Sequence, residues 1–173
     1  MKYSNLFGLI CLSLFLAKCS DDSGTVGPCP IVPEVPSPSI YQVARLTIDT
    51  ENGAPIVSKN KKDYVNCTLT IDSEKEEWDY TGTGRIRGRG NSTWLWYPKK
   101  PYRIKLNKKS EILGLATEKD WVLLANYRDP TQMMNTFTFI VCEKLGLPYT
   151  NHSRYVEVTL NGDYIGLYQL TEQ

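Results

Sequence analysis

Short segments with apolar residues at every second position recur along this chain, and they decide which folds are open to it. Side chains alternate faces along a strand, so each such segment buries one side and wets the other. Val65, Cys67, Leu69 and Ile71 share one side of a strand expected over residues 64–71. Residues 43–48, 83–89, 102–106 and 121–125 read as further strands. Residues 155–160 and 164–170 flank Asn161-Gly162, a pair suited to a tight turn, and predict a C-terminal hairpin. One stretch has helical spacing instead. Met133, Met134, Phe137, Ile140, Val141 and Leu145 form a broad apolar face. Asp129 can cap that helix, Pro130 suits its first position and Gly146 its close, so a helix with its face in the core is expected over about residues 130–145. Many antiparallel strands around one helix make the expected class α+β, antiparallel and β-rich.

The start of the chain points to export. Lys2 precedes an apolar run over residues 6–17, broken by Ser13, which is too short for a resident membrane helix and has the design of a secretory signal. Cys19 directly after it resembles a lipobox cysteine, although Lys18 stands where a small residue is usual. Ser20-Asp21-Asp22-Ser23 resembles the acidic tag of surface-exposed lipoproteins of the Bacteroides group. The expectation is a signal peptide over residues 1–18 and a lipid anchor at Cys19 in the outer membrane, with the domain exposed at the surface. The alternative is an ordinary cleaved signal and an incidental cysteine. Pro28, Pro30, Pro33, Pro36 and Pro38 make residues 19–39 a tether, and residues 40–173 the folded domain.

Charge and cysteines exclude several classes. The net charge is +1, and the leader takes with it two of the 20 basic residues and none of the 19 acidic ones. Nothing global attracts nucleic acid, so any basic site is local. Of the five cysteines, Cys29, Cys67 and Cys142 remain beside Cys19 once the leader is gone. An odd number without close spacing is neither a disulfide framework nor a zinc pattern, and their pairing stays open. Cys142 is expected as a small core residue. His152, the sole histidine, stands between Asn151 and Ser153 and is expected as a capping or surface residue, so no Ser–His–Asp or Cys–His arrangement is argued from it and no catalytic residue is assigned.

The chemistry lies in a basic strand–loop–strand from Arg85 to Lys105. Alternation puts Arg85, Arg87 and Arg89 on one face of the first strand. Gly88 and Gly90 let a backbone approach a ligand closely, while Asn91 and Ser92 add short hydrogen-bonding side chains. On the return strand Arg103 and Lys105 share a face, after Lys99 and Lys100. Guanidinium groups suit two-point capture of phosphate oxygens and ammonium groups supply point charge. Like charges this close call for a partner anion or acid. The bland alternative is a solvated basic face paired with Glu74, Glu76 and Glu77. The motif is no P-loop, because Gly-Lys-Ser/Thr does not follow. Thr93 stands where the third glycine of an ordinary kinase loop belongs.

Several blocks together resemble the CotH (spore coat protein H) kinase family. They are Ile86-Arg87-Gly88-Arg89-Gly90-Asn91-Ser92-Thr93-Trp94, then Lys99-Lys100-Pro101-Tyr102-Arg103-Ile104-Lys105-Leu106, then Lys119-Asp120-Trp121-Val122-Leu123-Leu124-Ala125-Asn126-Tyr127. Ser153-Arg154-Tyr155-Val156-Glu157-Val158 and Tyr168-Gln169-Leu170-Thr171-Glu172 continue the likeness. The resemblance implies the N-terminal half of an atypical protein-kinase fold, with ATP and Mg2+ as cofactors. It implies transfer of phosphate to Ser or Thr of a secreted or surface protein. It places Arg87, Gly88, Gly90, Asn91, Ser92, Lys100, Arg103 and Lys105 at the nucleotide phosphates. Family members carry their metal-binding acids beyond the block that ends this chain, so the metal ligands are not found here and the chain alone is expected to be inactive. Met134 stands where many relatives have a base. The other reading is a surface lipoprotein that binds an anionic glycan or a partner protein without catalysis.

Overall fold

Seven strands pair edge to edge and close on themselves. The computed structural model describes residues 43–173, so the expected leader, Cys19, the tether and Cys29 lie outside the described residues. β1 (Ala44–Thr50), β2 (Val65–Asp72), β3 (Tyr80–Gly88), β4 (Tyr102–Glu111) and β5 (Thr117–Leu124) are successive antiparallel neighbours. β7 (Asp163–Glu172) pairs with β5 and forms the expected hairpin with β6 (Ser153–Leu160). β6 then lies parallel to β1, with Ala44 opposite Val156, and shuts the barrel. The β-rich expectation holds, but the antiparallel set is closed by one parallel seam that local pattern did not contain.

The inward faces explain the closure. Leu46, Ile48, Ile71, Ile86, Ile104 and Trp121 are at most 3% exposed. Each such side chain stabilises the fold by about 1.5–3 kcal/mol on leaving water. Strand alternation delivers them to one interior, which side chains fill. Burial pushes the Cys67 thiol up to about 12, so it stays protonated in the barrel. The hairpin tip locks the parallel seam. Asn161 (φ 51) and Gly162 (φ 85) take the expected turn, and Asn161 Oδ1 accepts from the Thr50 amide at 2.8 Å and its hydroxyl at 2.9 Å.

Two α-helices interrupt the strands among the described residues. α1 (Ser92–Trp96) is a single turn inside the loop expected between the basic strands. α2 (Met134–Lys144) starts four residues later than Pro130 predicted. Gln132 stands at φ 59, which breaks helical geometry there. Met133, and not Asp129, takes the N-cap position, while the Asp129 carboxylate accepts from the Met134 amide at 2.9 Å and the Thr131 hydroxyl at 2.6 Å. Those two hydrogen bonds, the Thr131 one first, hold its carboxyl below the usual range. Gly146 (φ 67) closes the helix as expected, and Leu147 donates back to the Cys142 carbonyl at 3.0 Å.

The expected burial of the α2 apolar face is corrected. No residue of α2 is buried, and Met134, Phe137 and Ile140 are 63%, 65% and 46% exposed. Cys142 is half-buried rather than in the core. The physical reason is that α2 meets the barrel through polar side chains, described next, and nothing among the described residues covers the rest.

Candidate functional site

A cleft of about 400 Å³ opens at the barrel rim, between the loop after β3, the end of β5 and the start of α2. Three cations line it, Arg89, Lys99 and Arg128, with Ser92, Asn126 and Asn135. Burial, then the charges of Arg103 and Arg87, pull the Arg89 guanidinium below its usual value. Burial does the same to Lys99. Charged forms disfavoured in this way gain from an anion set between them. Rings complete the mouth: Tyr97 and Tyr127 stack at 5.2 Å, and Arg128 donates to the Tyr97 hydroxyl at 3.3 Å.

Asn126 (φ 45) stands two residues past the end of β5 and organises the floor. Asn135 donates to its Oδ1 at 2.9 Å, and its own amide donates to Gln169 Oε1 at 3.0 Å. Gln169 is fully buried and donates onward to Thr136 at 3.0 Å and Ser153 at 2.8 Å. Tyr168 and Leu170 fill the barrel, so alternation turns Gln169 to its outer side, where α2 sits. This relay fixes the start of α2 to the barrel. Sequence reasoning missed Gln169. The signal was a polar residue inside a strand whose neighbours on both faces are buried.

The residues expected at the phosphates are divided by the fold. Ser92 lines the cleft. Gly90 takes φ 87, and a Cβ there would meet Thr93 Oγ1 at 2.1 Å, so the turn requires glycine. Gly88 lies under Trp94, and its amide donates to Ser58. Asn91 accepts from Lys59 at 2.8 Å. Lys100 donates to the Trp94 carbonyl at 2.7 Å and ties the loop to its base. Arg87, Arg103 and Lys105 stand elsewhere, in a groove of about 260 Å³ on the outside of β3 and β4 that shares no lining residue with the cleft.

Arg85 and Arg87 face Lys105 and Arg103 directly across the strand pair, as the alternation requires. Arg89 departs from that expectation. β3 ends at Gly88, so the next residue leaves the strand face and turns into the cleft. Asp120 of β5, opposite Lys105, is the acid that meets the basic face, at 2.8 Å from Arg103 and 3.6 Å from Lys105. Burial alone would raise its carboxyl, but the Arg103 bond and the two charges outweigh burial and hold it below the usual range. Glu172 pairs with His152, accepting from its amide at 2.7 Å.

Among the described residues, no group of three or more His, Cys, Asp and Glu stands together to hold a metal. Asp129 and Asp120, the acids of the cleft and the groove, already have donors on both oxygens. These residues do not fit a magnesium site. A family model described as CotH kinase protein matches residues 86–173. No curated protein matches the chain.

Proposed function

The chain belongs to the CotH kinase protein family, and from that premise we propose that its rim cleft binds ATP as the nucleotide side of a protein Ser/Thr phosphotransferase. The observation that carries this is the concentration of Arg89, Lys99 and Arg128 at one opening, two of them destabilised as cations by burial. Phosphoryl transfer is mostly positioning and charge stabilisation, and a fixed array of cations supplies both. Gly90, Asn91 and Ser92 shape the phosphate side, and Asn126 with Asn135 offers a rigid polar floor. The stacked Tyr97 and Tyr127 offer aromatic surface for a base. In this reading the barrel is the nucleotide-holding half of an atypical kinase fold.

Calorimetric titration of ATP into the chain tests the cleft. Arg89→Ala is expected to weaken ATP binding about tenfold, the worth of one charge-assisted hydrogen bond. Absence of binding, or equal affinity in the variant, would remove the nucleotide from the cleft. The same protein is expected to move no radiolabel from γ-labelled ATP to a protein acceptor, because its cleft acid is already saturated with donors. Label on an acceptor would overturn that.

We place the protein at the outer membrane surface, held by lipid on Cys19, because the segment before it reads as a signal core. Its acceptor is then a secreted or surface protein. Radiolabelled fatty acid should enter the protein in cells and be lost in Cys19→Ala. Labelling that survives the substitution would refute the anchor.

A further inference from the structure

We propose that the groove outside β3 and β4 is a binding site for a phosphate group, separate from the rim cleft. Five cations line it, Lys61, Arg85, Arg87, Arg103 and Lys105, against the single acid Asp120. Both oxygens of Asp120 are engaged, one by Arg103 and one by Lys105. Lys61, Arg85 and Arg87 have no second carboxylate in the groove. Arg87 is only 8% exposed, yet its Nε has no hydrogen-bond partner. Arg103 Nε is also buried without one. A buried guanidinium donor left unmet is costly, and these two belong to directly paired residues that line one groove.

The guanidinium groups are held in place before any ligand arrives. Arg87 donates to the carbonyls of Lys59 at 2.6 Å and Gly88 at 2.7 Å. The Tyr64 ring lies 4.8 Å from the Arg85 guanidinium and 5.2 Å from that of Arg87. Asp120 fixes Arg103. Preorganised donors bind without further loss of side-chain freedom. A second carboxylate would carry too little charge for this set. A tetrahedral dianion offers more oxygens than the pair of Nε donors needs and leaves others for Lys61, Lys105 and Arg85. A phosphate group, borne as a monoester on a peptide side chain or free as inorganic phosphate, is the ligand with that chemistry.

The test is calorimetry on the full chain with three probes: inorganic phosphate, a phosphoserine peptide and ATP. Binding of both the peptide and inorganic phosphate supports the site and assigns a peptide-borne phosphate as its source. Binding of inorganic phosphate alone supports the site with free phosphate as the source. In either case Lys61→Gln with Arg85→Gln, two exposed positions, should lower that affinity about tenfold and leave ATP affinity unchanged. No binding of either phosphate probe overturns the proposal. So does wild-type affinity in the double variant, or loss of phosphate binding when ATP saturates the cleft. Failure of ATP to bind would remove the cleft reading alone, because the groove is scored on the phosphate probes.

Discussion

Gln169→Leu is expected to remove about 3 kcal/mol of stability and to release α2 from the barrel. Leucine has a similar size and no hydrogen-bonding group, so the change tests polar satisfaction more than packing. It leaves the Asn126 amide, the Thr136 hydroxyl and the Ser153 hydroxyl each short of a partner. Each buried group left unmet costs about 1–3 kcal/mol. Asn126 keeps Asn135, and Thr136 keeps Tyr155 at 2.7 Å, so the total stays near the bottom of the roughly 3–9 kcal/mol that three such groups would cost. Urea unfolding followed by tryptophan fluorescence gives the stability. Hydrogen exchange over residues 134–144 reports the helix. A loss below about 1 kcal/mol, with α2 amides protected as before, would mean that something other than this relay holds the helix.

Gly84→Ala is the second large effect. Gly84 lies on β3 opposite Leu106 of β4. A Cβ there would come within 2.7 Å of the Lys105 carbonyl oxygen and 3.2 Å of the Leu106 Cα. Both are backbone atoms of the neighbouring strand, so no rotamer change relieves the clash. The strands must part, and with them the facing of Arg85 to Lys105 and Arg87 to Arg103. Overpacking of this kind costs about 3 kcal/mol. In a domain of this size that lowers the melting temperature by roughly 10 °C. A variant melting within about 2 °C of the parent would show that the barrel accommodates a methyl group there.

Much of this structure was legible from residues alone, where the cause is local. Val65, Cys67, Leu69 and Ile71 marked the inner face of β2, and Asn161-Gly162 marked the hairpin. Gly146 marked the helix end. Closure was not legible, because the β1–β6 seam pairs residues far apart and neither strand carries a local sign of its partner. The face of α2 was misjudged for a related reason. Periodicity says which side of a helix is apolar, not whether anything covers it. The basic residues were read as one set because alternation holds only within a strand. Once β3 ends at Gly88, Arg89 follows the turn into the cleft while Arg85 and Arg87 stay outside. Asp120 was hidden in the same way: its partnership with Lys105 depends on the β4–β5 register.

The parallel seam also sets the order in which this barrel can be made. Ala44 to Ile48 wait for Val156 to Leu160, at the other end of the described chain. Until those residues arrive, one edge of β1 presents unpaired N–H and C=O groups, the template on which strands aggregate. Contacts so distant in sequence slow folding, since loop closure comes before the bonds that reward it. A chain threaded from its N-terminus would therefore carry an open β1 edge through almost all of its emergence. Rapid formation of the β6–β7 hairpin, with the Asn161 side chain ready to catch Thr50, shortens the last stage of that exposure.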